Sequence, residues 1–289
     1  MSTTVTAQAA ARPVRAGRRL PLAWLGTVPF FGYAGVFLLL PTGIVVWGAI
    51  RDPAGHGFKL SSLKLLGDAA VRSNFVGSVE LSGISAVAGA VLGAVLAYAV
   101  ASGNPDGIVR RVYLAGSGVL AQFGGVTLAF AFLAAIGPTS GFLFHAGWFY
   151  DFPQGIGLIY IYFQIPLMVL VFLPAIDGLR VQWREATENL GGSTLQYWRH
   201  VGGPLLVPAF LGSTLLLFAN ALSAYATIQA WDNQIAYTIP QMISTSLTSE
   251  VGLASPNEAQ VLALGTVVLV AIIMTSYALL QRRAARWLR

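Results

Sequence analysis

Six long, predominantly apolar runs, with most of the Lys and Arg confined to the segments between them, decide what this chain can fold into. A helix rising about 1.5 Å per residue crosses a hydrocarbon core of about 30 Å in about twenty residues, and each run reaches that length. They lie within Leu20–Ile50, Phe75–Ala101, Val112–Ile136, Gly155–Ile176, Leu205–Trp231 and Ala259–Gln281. Charged residues make up only 10% of the 289, against about 25% in an ordinary soluble domain, too few to cover a water-exposed surface. The expectation is an all-α, polytopic membrane protein with six transmembrane helices.

Composition removes several function classes. There is no Cys, so disulfide frameworks and thiolate metal sites are excluded. His56, His145 and His200 are too far apart in sequence to form a metal-ligand spacing. A net charge of +6 ordinarily raises nucleic acid as a partner, but here the basic residues are scattered between spans, and no nucleic-acid surface is expected.

The scatter sets topology instead. With the N-terminus inside, the inner segments hold thirteen Lys and Arg, including Arg12, Arg15, Arg110, Arg180 and Arg283, while the outer segments hold only Arg51, Lys59, Lys64 and Arg72. Cytoplasmic loops hold the excess, so both termini are expected in the cytoplasm and the first run is read as an uncleaved anchor. The domain reading is a disordered cytoplasmic tail over 1–19, a six-helix domain over 20–281 and a basic cytoplasmic tail over 282–289.

The longest inner loop, 177–204, has its own pattern. Helix formers from Val181 to Leu190 predict a short helix, with Glu185 in its first turn offsetting the helix dipole. Gly191 and Gly192 then offer a left-handed stop. Ser193 and Gln196 match a capping box, predicting a second helix whose Leu195, Trp198 and Val201 share a face and which Pro204 closes. On pattern alone, the loop also suits an interfacial amphipathic helix anchored by Trp183 and Trp198.

Glu185, Ala186, Thr187, then Gly191, then Trp198, Val201, Pro204 and Leu205 closely resemble the EAA loop of binding-protein-dependent ABC importer permeases. That pattern is Glu-Ala-Ala, three residues, Gly-Ala, a large apolar residue, Ile or Val, and Leu-Pro-Leu. Here Thr187 replaces the second Ala, Gly192 replaces the Ala after Gly, and Gly203 stands where Leu is usual.

The resemblance implies a type I importer permease fold with a cytoplasmic coupling helix seated in a groove on an ABC ATPase dimer. The coupling residues it implies are Glu185, Ala186, Thr187, Gly191, Gly192 and Trp198, with Arg184 and Arg199 as further candidates for pairing with ATPase acids. No phosphate-binding loop or catalytic constellation occurs in the sequence. The chain is therefore expected to be non-enzymatic and to bind no cofactor, with ATP and Mg on the partner ATPase subunits.

A second permease subunit, a paralogue in preference to a second copy, and an extracytoplasmic solute-binding protein complete the implied assembly in a bacterial inner membrane. The order of features most resembles the spermidine/putrescine-type group, which implies a polyamine. Ferric iron, aminoethylphosphonate, sulfate and sugar are the alternatives. A proton-coupled secondary transporter fits less well, because neither a repeat nor a carboxylate at mid-depth is visible.

Polar residues within spans are candidates for the translocation path, since a polar group facing lipid goes unsatisfied. They include Gln122 and Thr127 in the third span, Gln164 in the fourth, and Asn220, Ser223 and Thr227 in the fifth, the last three on one helical face, together with Glu80. Snorkelling of Glu80 or its pairing with Arg72 is the structural alternative. Asp151, Asp232, Glu250 and Glu258 with Trp148, Phe149, Tyr150 and Trp231 form an outer group suited to an amine, or an interfacial aromatic belt. Ile239, Pro240, Met242, Ile243 and Leu247 predict a short amphipathic helix at the outer mouth, placed to cap it or to meet a binding protein.

Overall fold

The computed structural model describes residues 23–51, 57–58, 60–104, 106–137, 142–143, 147–232, 238–248 and 256–286. The expected tail 1–19 lies outside them, as do Glu250 and the last three residues. The chain divides into two units, 1–44 and 45–289.

Helix α1, Ala23–Ala34, passes through a π turn, Gly35–Leu39, into α2, Leu40–Ile50. Phe30, Phe31, Tyr33 and Phe37 of the first unit are exposed, the outward apolar arrangement that lipid favours. Pro41 sits at the second position of α2, one residue after the Leu40 N–H reaches back to the Gly35 carbonyl. A proline in a helix lacks a donor and collides with the carbonyl four residues back. The widened turn displaces that carbonyl, and the helix continues.

In the second unit a 3₁₀ turn, Leu60–Gly67, leads to α3, Ala69–Ala101, whose start is capped by the Asp68 carboxylate accepting from the Ala70 N–H at 2.8 Å. There follow α4, Ile108–Gln122; α5, Gly125–Ile136; a 3₁₀ turn, Gly147–Tyr150; and α6, Gln154–Asp177. The loop elements are α7, Val181–Asn189, and α8, Thr194–Tyr197. A π turn, Trp198–Gly202, joins α8 to α9, Gly203–Ser223, and α10, Tyr225–Trp231, α11, Ile239–Thr248, and α12, Pro256–Arg286, complete the chain. Among the described residues there is no strand, only an isolated bridge between Arg51 and Phe58.

Five helical segments are long and apolar enough to cross a bilayer: 27–50, 69–101, 154–177, 194–223 and 257–279. The third expected span, Val112–Ile136, is not one straight helix. α4 and α5 are bent by 97° across Phe123 and Gly124, where Gly125 adopts a φ of +69°. The fifth span also departs from expectation: α9 stops at Ser223, and Ala224, with a ψ of 83°, separates it from α10. The expected terminal tail at 282 is instead largely a continuation of α12 to Arg286.

Pro204 does not close the second loop helix. Gly203 donates to the Trp198 carbonyl one residue earlier, the same widening that precedes Pro41, so helix runs unbroken from Thr194 to Ser223. Of Leu195, Trp198 and Val201, expected on one face, Leu195 is 77% exposed and the other two are half-buried, while Tyr197 is the buried position of that turn.

The core is built on the α3–α6 seam. α3 buries Ser78, Ser82, Ala86, Gly89, Ala90 and Gly93 and turns Val76, Val87, Val91 and Val95 outward. In lipid the hydrophobic effect does not favour helix pairing, and close backbone approach over small residues supplies the contact instead. Phe149 and Trp231, expected in an outer belt, are buried, and the Trp231 indole N–H donates to the Phe149 carbonyl at 3.0 Å. Trp148 and Tyr150 remain exposed.

Candidate functional site: two helix breaks and a capped loop

The two breaks meet. Gly125, at the start of α5, lies beside Ala226 of α10; a Cβ on Gly125 would stand 3.7 Å from the Ala226 Cβ. Between them is a cavity of about 440 Å³. Gln122, Asn220, Ser223 and Thr227 of the sequence-derived path set all line it, together with Gly124 and Tyr225. Gln164 does not line it. This residue is fully buried in the α3–α6 seam, its amide donating to the Ser85 hydroxyl at 2.9 Å while its Oε1 is left without a partner.

Glu80 is exposed and also lies away from the cavity. Its expected pairing with Arg72 does not form directly: eight residues on one continuous helix separate the two by about 12 Å of axial rise.

The fifth-span break is held by the fourth span. The buried Tyr160 hydroxyl of α6 donates to the Ala224 carbonyl, satisfying an acceptor that the end of α9 leaves free. Tyr225, first residue of α10, shares a 2.8 Å hydrogen bond with Ser244 of α11. The outer amphipathic segment is helical as its spacing predicts, with Ile239 buried, Met242 and Ile243 packed beside Val71 and Leu262, and Leu247 exposed.

The loop between α6 and α9 is the second feature. α7 has no buried residue, and the chain leaves it through a Schellman turn: the Gly192 N–H donates to the Thr187 carbonyl and the Gly191 N–H to the Glu188 carbonyl, both at 2.9 Å. Gly191 takes the left-handed conformation with a φ of +75°. The Ser193 capping box then forms in both directions, with Gln196 Oε1 accepting from the Ser193 N–H at 2.7 Å.

Glu185 is the fifth residue of α7, so it lies beyond the first turn, which Val181 already opens. It is exposed, whereas Glu188 is engaged by Arg184 at 2.9 Å. Arg199 is also exposed. Trp198 packs edge-on against Tyr98 of α3, with ring centroids 5.2 Å apart, tying the loop to the second span.

Two departures from the EAA pattern turn out to touch. A Cβ on Gly192 would stand 2.7 Å from the Thr187 Cγ2 and 2.9 Å from the Thr187 carbonyl oxygen, so the missing methyl at 192 accommodates both the extra methyl at 187 and the backbone of the turn. Gly192→Ala is therefore expected to loosen the turn, and Thr187→Ala in the same chain to restore only the part due to the Cγ2, since the contact with the carbonyl oxygen remains. Protease sensitivity of the loop in the single and double variants measures it, and equal cleavage of both would refute the pairing.

Sequence reasoning passed over Gly124 and Tyr225, which line the cavity, and Tyr160, which bonds to the Ala224 carbonyl beside it. It also missed the ion pair between Arg110, in the first turn of α4, and Asp177, at the end of α6, which joins elements 67 residues apart.

Comparison with known proteins follows this geometry. Two crystal structures of a bacterial ABC transporter that imports the acidic polysaccharide alginate are similar in fold. The first has a TM-score of 0.72 at 16% identity, covering 91% of this chain and 95% of that one. The second, in complex with a periplasmic protein bound to an alginate pentasaccharide, has a TM-score of 0.71 at 17% identity, covering 91% and 94%. An inward-facing structure of the MetNI methionine ABC transporter has a TM-score of 0.56 at 16% identity, covering 74% of this chain and 95% of that one. A search of curated proteins finds no match. The family described as binding-protein-dependent transport system inner membrane component matches residues 82–289. The chain belongs to that family: it is a non-catalytic, multi-pass permease subunit of an ABC importer, with the type I fold and with ATP hydrolysis left to a partner ATPase.

Proposed function

We propose that the chain forms half of a translocation path for a small polar solute, working with a second, paralogous six-span permease, a cytoplasmic ABC ATPase dimer and an extracytoplasmic solute-binding protein. ATP and Mg sit on the ATPase subunits, and both termini of this chain face the cytoplasm. The observation that carries the reading is α7: a capped nine-residue helix with no side chain buried in its own protein, joined directly to two spans. Such a helix transmits a displacement that a flexible loop would absorb, and its exposed faces suit a groove on the ATPase.

Glu185, Ala186, Thr187, Gly191 and Gly192 form the lever and its stop, Trp198 links it to α3, and Arg184 and Arg199 are further contacts for ATPase acids. Because Glu188 is held by Arg184, Glu185 is the carboxylate available to a basic group of the ATPase. Gln122, Asn220, Ser223 and Thr227 line the path at the cavity. Gln164 supports the path from the seam behind it, and Glu80 lies outside the cavity. The resemblance to spermidine/putrescine-type permeases makes a polyamine one solute to test, beside ferric iron, aminoethylphosphonate, sulfate and sugars.

Co-purification tests the assembly, with an ATPase and a second six-span chain expected alongside this one. Glu185→Ala is expected to lower ATP-driven uptake at least tenfold while the amount of inserted chain stays unchanged. Uptake at the wild-type rate would remove Glu185 from the coupling contact. Uptake that survives ATP depletion and collapses with the proton gradient would favour a secondary transporter instead.

A further inference from the structure

The backbone groups around the cavity are unevenly satisfied. At the end of α4, the Gln122 carbonyl accepts from the Gly124 N–H at 3.0 Å, and the Phe123 N–H is shared between the Val119 and Leu120 carbonyls. At the end of α9, Asn220 accepts from the Ser223 hydroxyl at 3.0 Å, Ala221 from the Ala224 N–H at 3.1 Å, and Ala224 from Tyr160. Six of the carbonyls at the two breaks, those of Val119, Leu120, Gln122, Asn220, Ala221 and Ala224, are thus engaged.

The donors are not. α5 is a twelve-residue helix whose N-cap is Gly124, which supplies no side-chain cap. The first N–H groups of a helix have no acceptor within it and stand at the positive end of its dipole. Independently, Thr227 is 2% exposed and lines the cavity, and its hydroxyl has no hydrogen-bond partner among the described residues. The side-chain amides of Gln122 and Asn220 line the same space, also without a hydrogen-bond partner. Among the described residues no carboxylate lines it, and the one ionisable side chain that does, Tyr225, is engaged with Ser244.

Resting on the permease reading, we propose that this cavity receives the oxyanion group of an anionic solute, a carboxylate or a tetrahedral sulfate- or phosphonate-type group. The α5 N–H groups, the Thr227 hydroxyl and the two amides supply the donors. An ammonium here meets no counter-charge in a low-dielectric site, whereas an oxyanion meets uncapped N–H groups. The approach is open: a Cβ on Gly124 would meet nothing within 4 Å.

The backbone of Gly124 is extended, with a φ of −130° and a ψ of −163°, so other residues fit there. Asp and Asn are isosteric, and each caps the same N–H groups from this position. Only Asp adds a charge. The test uses the complete transporter in proteoliposomes, with sulfate, methylphosphonate and acetate as oxyanion probes, putrescine as a cation and maltose as a neutral solute.

The expected result is ATP-driven uptake of an oxyanion probe by the wild type, with sulfate or methylphosphonate against acetate separating the tetrahedral from the planar group. Gly124→Asn should lower that uptake a few-fold and Gly124→Asp at least tenfold further. Thr227→Val should raise KM three- to tenfold with the maximal rate retained, and Thr227→Ser should restore it.

Uptake of putrescine or maltose but no oxyanion overturns the proposal, as does equal or higher uptake with Asp than with Asn, and each of these leaves the permease reading intact. No ATP-driven uptake of any probe by the wild type overturns the proposal, and the permease reading then stands or falls with the co-purification.

Discussion

Gly191→Pro should bring uptake to background while the chain still inserts and still co-purifies with its partner permease. Gly191 has a φ of +75°, and proline is fixed near −65°, so the substitution cannot be absorbed locally. It also removes the N–H that bonds to the Glu188 carbonyl at 2.9 Å, half of the Schellman turn. Losing that bond costs about 0.5 to 1.5 kcal/mol, and the conformational mismatch adds to it. The two effects together exceed what holds a single exposed turn, so α7 should detach from its stop.

Nothing in the spans is touched, because a Cβ at 191 would meet no atom within 4 Å. The defect should therefore appear as ATP hydrolysis without uptake. Gly191→Ala supplies the graded control: it keeps the N–H but enters a left-handed region costing roughly 1 to 2 kcal/mol for an L-residue, and uptake should fall partway. Wild-type uptake by the proline variant would show that the turn transmits nothing.

The parts of this design that can be read in the sequence are those set by neighbours along the chain. Gly191–Gly192 and the Ser193–Gln196 box lie within a few residues of their partners, and both form as their chemistry dictates. The apolar runs are similarly local, and they place the fourth and sixth spans to within a few residues, whereas the fifth runs over 194–223 instead of 205–231.

What escaped depends on elements distant in sequence. Ala224 is an ordinary helix former, and it breaks the fifth span where Tyr160, 64 residues away, donates its hydroxyl to the Ala224 carbonyl. Phe123–Gly124–Gly125 is more legible, since adjacent glycines in an apolar run mark a backbone able to turn, but the run's hydropathy hides the bend. Pro204 misled for the opposite reason: its stop signal is cancelled by a π turn that no residue pattern announces. The same device at Pro41 makes it a repeated solution in this chain.

The largest stability loss is expected from Gly93→Leu. At Gly93 a Cβ would stand 2.5 Å from the Met168 Cβ and 2.8 Å from the Ile165 carbonyl oxygen. The second neighbour is backbone inside α6, so relief requires the helices to separate rather than one side chain to rotate. Gly89, one turn earlier, is as tight, 2.7 Å from the Gln164 Cβ, and any widening there also pulls on the Gln164–Ser85 hydrogen bond.

Overpacking by a methylene or two costs about 1 to 3 kcal/mol, and leucine adds four carbons at the closest point of the main seam. Gly83, on the same helix, separates this effect from any general cost of replacing glycine, because a Cβ there meets nothing within 4 Å. Gly83→Leu should purify as a single species with a thermal midpoint near wild type, and Gly93→Leu should aggregate or melt many degrees lower. Gly93→Ala should fall between them: ordinary helix propensity favours Ala over Gly by about 1 kcal/mol, so destabilisation by Ala at 93 would be contact rather than propensity. Equal midpoints for Leu at 83 and at 93 would mean that α3 and α6 do not meet at Gly93, and the packing that supports both breaks would have to be redrawn.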